Sequence, residues 1–163
     1  MIVSFDLDDT LFIDPKKIPA ERALKFPLNR IYRDRLRKGT PELLQWINDS
    51  RIKLWIYTTS FRSERYIDSV FRHYGVSIDN IINGERHEQE VQGNKTERLP
   101  SKYPSKYHID LHVDDEISVY QNGISYGFRV YLLKENDTDW VNGIKNEIIR
   151  IRRAFYENEE RTM

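Results

Sequence analysis

Hydrophobic and polar positions along this chain switch repeatedly between a period of two and a period near 3.6. Ile2-Val3-Ser4-Phe5 is a short apolar run of high strand propensity, and it stops at three carboxylates, Asp6, Asp8 and Asp9. Residues 12–27 hold Pro15, Pro19 and Pro27 among charges and read as a turn or flap. From Pro27 a helical period begins, with Leu28, Ile31, Tyr32 and Leu36 on one side. Arg30, Arg33, Arg37 and Lys38 lie on the other side, and Gly39 is its stop. Thr40-Pro41-Glu42 supplies an N-cap, a proline at the first helical position and an acid in the first turn. The helix it opens has Leu43, Leu44 and Ile47 as its buried stripe.

Lys53-Leu54-Trp55-Ile56-Tyr57 is a second strand and ends in Thr58-Thr59-Ser60. Ser63 caps a further helix with Ile67, Val70, Phe71 and Tyr74 at helical spacing and Gly75 at its end. A short strand is expected over 78–82. Residues 84–107 are polar and read mostly as loop. A strand over 108–113 again ends in carboxylates, Asp114 and Asp115. A helix over about 117–125, stopped by Gly127, and a last strand over 128–133 follow. Thr138 is the expected cap of a C-terminal helix over about 138–157, with an apolar stripe of Trp140, Val141, Ile144, Ile148, Ile151 and Phe155. Strands alternating with helices predict one doubly wound, Rossmann-like, three-layer α/β domain over 1–163, with a mainly parallel sheet.

Composition narrows the function classes. The 163 residues suit one domain with a real core. Twenty-six basic and 26 acidic residues cancel, so no global field favours nucleic acid or a membrane surface. There are no cysteines, which removes disulfides, thiolate metal sites and cysteine nucleophiles and fits a reducing compartment. No apolar run approaches the ~18 residues of a membrane span. The first strand begins at residue 2, which leaves no room for a cleavable signal sequence, so a cytoplasmic domain without membrane contact is expected.

Candidate chemistry sits at the strand ends: Asp6 and Asp8, then Thr58, then Asp114 with Asp115. Parallel strands bring such ends to one edge of the sheet, where ligands of α/β folds bind. Convergent carboxylates without cysteine suit a small oxygen-loving cation, Mg²⁺ first, bound together with a substrate phosphate. The phosphoryl group needs hydroxyl donors and a fixed positive charge. Thr58 can supply the first, and a lysine from residues 95–106 the second.

With these residues the chain resembles the haloacid dehalogenase (HAD) superfamily of aspartate-nucleophile phosphohydrolases, over about residues 1–133. Phe5-Asp6-Leu7-Asp8-Asp9-Thr10-Leu11 is similar to its first motif and Leu54-Trp55-Ile56-Tyr57-Thr58 to its second. Ile109-Asp110-Leu111-His112-Val113-Asp114-Asp115 is similar to its fourth. The resemblance implies a phosphomonoester hydrolase in which Asp6 attacks phosphorus and Asp8 serves as general acid, then base. The crowd of neighbouring carboxylates is expected to raise the Asp8 pKa towards the working pH. It further implies Mg²⁺ held by the Asp6 carboxylate, the Asp8 backbone carbonyl and Asp114, with Asp115 supporting the ion's water. Thr58, Thr59 if the register slips by one, and a lysine would hold the phosphoryl oxygens. Lys102, in Ser101-Lys102-Tyr103-Pro104, is preferred for that lysine, ahead of Lys95 and then Lys106.

The intervals from Thr10 to Thr58 and from Thr58 to Lys102 leave no space for a large cap domain. By analogy the substrate is then either a small phosphate ester under the flap or a phosphorylated macromolecular end, a nucleic-acid end included, and a second copy of the chain could close the site. A signalling receiver domain, which uses a similar residue set, fails on motif order. A catalytically idle phosphate- and metal-binding module of the same fold, and a phosphotransferase, remain as alternatives. Asp9 reads as local turn chemistry, and Thr10 as a partner of the turn backbone. Asp110 with His112 reads as a structural pair, with a supporting role beside Asp114 left open. His73 and His87 read as surface residues. The Arg30–Lys38 cluster reads as a solvated helix face, with an anion-docking surface as its sharper alternative, and Arg150, Arg152 and Arg153 carry the same two readings.

Overall fold

A computed structural model describes residues 1–93 and 100–162, with side chains described as far as residue 157. Among the described residues five strands form one sheet: β1 (Ile2–Phe5), β2 (Lys53–Tyr57), β3 (Asn80–Ile82), β4 (Leu111–Asp114) and β5 (Val130–Leu132). Their spatial order is β3-β2-β1-β4-β5 and every pairing is parallel. The helices are α1 (Leu28–Ile31), α2 (Thr40–Asp49), α3 (Glu64–His73), α4 (Gly84–Glu90), α5 (Ile117–Tyr126) and α6 (Trp140–Thr162). This is the single parallel α/β domain that the alternation of periods predicts, and no cap domain interrupts the described residues.

The pleat sorts the strands into two unlike faces. Val3, Phe5, Leu54, Ile56, Leu111 and Val113 share the large apolar cluster with Leu43, Leu44 and Ile47 of α2, Ile67, Val70 and Phe71 of α3, and Ile144, Ile148 and Ile151 of α6. The alternate positions carry Ser4, Tyr57, His112 and Asp114, all buried and polar, beside a small cluster of Tyr57, Ile82 and Ile109. One face of the central strands is therefore apolar, and the other gathers buried polar groups. Truncating Leu54 to alanine, in the centre of the first face, is expected to cost about 2–5 kcal/mol. Urea unfolding measures that loss.

Several expected elements change length for local reasons. The helix after Pro27 ends at Ile31, where Tyr32 turns extended, and it buries none of its residues. Leu36 and Arg37 instead make bridges to Phe12 and Ala20. Arg30–Lys38 is thus no single solvated face. Arg37 is buried, and its guanidinium donates to the carbonyls of Lys134 (2.8 Å) and Glu135 (3.1 Å), tying this segment to the chain after β5. Gly39, at φ 94°, flanks α2 in place of Thr40, and a Cβ there would lie 2.7 Å from Val141.

Residues 84–90, expected as loop, form α4, because the Asn83 side chain accepts the Arg86 N–H and caps it. The strand expected over 108–113 starts at Leu111. A 3₁₀ turn over Pro104–Tyr107 precedes it, and His108 takes a left-handed conformation (φ 55°). The last strand is confined to 130–132. The C-terminal helix begins at Trp140, preceded by Asp139 rather than Thr138, and Asp139 accepts the Gly143 N–H through its carbonyl (3.0 Å). No described helix is long and apolar enough to cross a membrane.

Candidate active site

The strand order reverses between β1 and β4: the chain runs outward from β1 to β3, then returns to β1's other side. Ligands of such sheets bind beyond the carboxyl ends of the strands at this switch point, and Asp6 and Asp114 stand there. The Asp6 N–H donates to the Val113 carbonyl (2.9 Å), so the β1–β4 ladder itself fixes the position of Asp6. Immediately beyond, the Leu7 carbonyl accepts the N–H groups of Thr10 (3.2 Å), Leu11 (2.9 Å) and Phe12 (2.7 Å). Asp9 takes φ 58° in this turn. That tight turn, anchored by the buried side chains of Leu7 and Leu11, holds Asp8 and Asp9 at the edge of the sheet. Asp9 is a turn residue, as expected.

Asp6, Asp114 and Asp115 offer carboxylate oxygens within 4.8 Å of one another. Lys102 lies among them. Its ammonium is almost fully buried and contacts Asp114 Oδ2 at 2.6 Å and Asp6 Oδ1 at 2.9 Å. Burial pushes the Asp6 carboxyl up, with Asp114 adding to the push and Lys102 opposing it, to about 7. Burial works against Asp114 as well, but hydrogen bonding from His112 and the Lys102 charge hold it below the usual carboxylate range. Burial also opposes the charge on Lys102, yet the two carboxylates win and raise its pKa. Asp115 is half-buried, and burial raises it in spite of the hydroxyl that Thr10 donates to it (2.8 Å). Thr10 therefore orients Asp115 rather than binding the turn backbone as expected.

Among the three candidate lysines the described structure brings Lys102 to the carboxylates. Lys106 is exposed, and its ammonium donates to the Glu90 carbonyl instead. Lys95 lies outside the described residues. Lys102 is held by its neighbour: the Tyr103 N–H donates to the buried Tyr57 hydroxyl at the end of β2 (2.8 Å), which also meets His87 Nδ1 at 2.7 Å. His87 is accordingly an interior residue and not the surface residue expected, and burial lowers its pKa. His73 is exposed, as expected.

Thr58 directly follows β2, and its buried hydroxyl accepts the Ser60 N–H (3.1 Å). Thr59 is exposed, but its carbonyl approaches α4 so closely that a Cβ on Gly84 would lie 2.4 Å away. Only glycine admits that approach. Asp110 and His112 do not pair with each other. Asp110 accepts the Ile2 N–H (2.7 Å), whereas His112 bridges Ser4 Oγ (2.8 Å) and Asp114 Oδ2 (3.0 Å) across neighbouring strands. The Asp114 Oδ1 atom accepts the Glu116 N–H (2.9 Å), so both of its oxygens are directed.

Asp8 stands apart from the carboxylate group. Its side chain is half exposed and meets a cation, the Arg62 guanidinium, instead of the neighbouring acids expected. Sequence reasoning overlooked Arg62, Tyr57 and Ser4, and the polar run Thr58-Thr59-Ser60-Phe61-Arg62 after an apolar strand was the available signal. A cavity of about 270 Å³ opens next to Asp9 and Asp115, lined also by Asp14, Lys17 and Lys134.

The order and direction of the strands are those of a HAD-like fold. Among solved structures the chain is similar to the HAD domain of effector protein Lem4 from Legionella pneumophila, there an inactive mutant. The two share 17% identity at a TM-score of 0.52, over 96% of this chain and 97% of that one. It is also similar to a Thermotoga maritima protein assigned as a beta-phosphoglucomutase, at 14% identity and a TM-score of 0.43, over 90% of this chain and 99% of that one. No protein-family model and no curated protein matches the chain.

Proposed function

We propose that this protein is a Mg²⁺-dependent phosphomonoester hydrolase working through an aspartyl-phosphate at Asp6. The observation that carries the reading is the buried Asp6–Lys102–Asp114 contact at the β1/β4 switch point, where nucleophile, counter-charge and cation ligand meet. The donor set fits the metal: the grouped atoms of Asp6, Asp114 and Asp115 are all carboxylate oxygens, the hard ligands that Mg²⁺ prefers. These three residues, with the Asp8 backbone carbonyl, would hold it. When bound, the ion offsets the negative charge shared by nucleophile and phosphate.

In the first step an Asp6 oxygen forms a bond to phosphorus as the bond from phosphorus to the ester oxygen breaks. Asp8 gives its proton to the departing oxygen, which leaves as an alcohol. In the second step Asp8 takes a proton from water, the water oxygen bonds to phosphorus, and the Asp6–phosphorus bond breaks to release inorganic phosphate. Lys102 and the Thr58 hydroxyl stabilise the charge on the phosphoryl oxygens. Asp115, steered by Thr10, completes the acidic group. His112 fixes the orientation of Asp114, and Tyr57 fixes the backbone that carries Lys102. A small phosphate ester or a phosphorylated macromolecular end can reach a site that, among the described residues, no cap domain covers.

The test is a screen of the purified protein against phosphosugars, nucleotides, phosphopeptides and end-phosphorylated oligonucleotides, together with Mg²⁺ titration by calorimetry. Ester hydrolysis that stops on chelation and returns with Mg²⁺ is the expected result. No turnover of any ester combined with no Mg²⁺ binding would favour an idle module of the same fold.

A further inference from the structure

The Asp8–Arg62 contact conflicts with the task given to Asp8. One guanidinium nitrogen, Nη1, contacts both Asp8 oxygens, at 2.9 Å and 3.0 Å. Both oxygens are thus engaged, whereas acid/base work on a leaving group needs one of them directed at the ester oxygen. Arg62 is not placed there by Asp8. Its Nε and Nη2 grip the two Asp34 oxygens (3.2 Å and 3.1 Å), Tyr66 donates to the same carboxylate (2.9 Å), and the Phe12 ring lies beneath the guanidinium at 5.3 Å. Ser60 Oγ accepts from Nη1 as well (2.7 Å). Asp34, Tyr66 and Phe12 therefore hold the guanidinium with its Nη1 edge turned outward to the half-exposed Asp8, and in the resting protein that carboxylate already occupies the edge.

We propose that Arg62 is a specificity-determining residue: its outward edge binds an oxyanion, carboxylate or phosphate, on the leaving-group side of the substrate. That group takes the place of the Asp8 carboxylate on Nη1 and frees Asp8 to face the ester oxygen. Substrates are then phosphate esters bearing a second anionic group a few bonds from the ester. The inference rests on the phosphohydrolase reading and on Asp8 as its acid/base. A planar guanidinium braced on one carboxylate is suited to a second such partner, because its donors are arranged as paired forks.

The experiment compares 2-carboxyethyl phosphate with its neutral amide, 2-carbamoylethyl phosphate, under Mg²⁺. The wild-type protein is expected to favour the carboxylate by roughly tenfold to a hundredfold in kcat/KM, the worth of one hydrogen bond to a charged group. Part of that preference should appear in kcat, because the anion releases Asp8 as well as adding affinity. Arg62→Gln should bring the ratio close to one, and Arg62→Lys, which keeps the charge but not the fork, should fall between. Equal turnover of the two esters by wild type, or a preference that survives Arg62→Gln, would overturn the proposal. Should neither ester turn over, calorimetric binding of the two corresponding phosphonates decides: tighter carboxylate binding that Arg62→Gln abolishes supports it, and equal affinity overturns it. Failure of the phosphohydrolase reading would show separately, as no Asp6-dependent hydrolysis of any ester.

Discussion

Asp6→Asn is expected to lower phosphatase turnover by at least about a thousandfold, because an amide oxygen cannot open the covalent route that splits one difficult displacement into two. The substitution is close to isosteric. It removes a carboxylate whose charge burial already disfavours, as its rise to about 7 records. Lys102 keeps its shorter contact to Asp114. The variant should therefore melt within a few degrees of the wild type, so that lost turnover reports chemistry and not unfolding. Steady-state assays with a thermal melt on the same samples check both halves.

Lys102→Met should abolish activity and also cost stability. The ammonium is the cation in contact with both Asp6 and Asp114, and it is almost wholly buried. Removing it leaves two carboxylates side by side in the interior without their counter-charge, a change of about 3–5 kcal/mol for a broken buried pair. Urea unfolding with and without Mg²⁺ measures this. A second cation source at the same carboxylates should return part of the loss through binding to the folded state. A Lys102→Met protein as stable as wild type and still active would move the role of fixed cation elsewhere, to residues such as Lys95.

The two periods in the sequence were enough to predict a parallel α/β domain, because the strands are short apolar runs and α2, α3 and α6 each have a stripe of three or more buried apolar residues. They failed where tertiary contacts outweigh local pattern. Leu36 and Arg37 have helical spacing, yet bridges to Phe12 and Ala20 and the carbonyls of residues 134 and 135 claim them. Gly84–Glu90 lacks an apolar stripe, yet the Asn83 cap supports a helix there. Asp6 and Asp114 were legible as strand-end carboxylates because a parallel sheet gathers such ends, and Lys102 as one of three lysines in the segment before β4. The partners that aim them were not. Ser4 reaches His112 and Tyr57 reaches Tyr103 across 108 and 46 residues of chain, a separation that no local pattern records. Arg62 was hidden for a different reason, since its meaning lies in two partners, Asp8 and Asp34, that sit far from it in sequence.

The proposed mechanism stands or falls with the phosphorylation of Asp6 during turnover. Rapid acid quench of a single turnover, followed by mass spectrometry of the N-terminal peptide, detects it. The expected result is one phosphoryl group on Asp6 in the wild-type protein and none in Asp6→Asn. Turnover that continues with no phosphorylated Asp6, and at an undiminished rate in Asp6→Asn, would contradict it.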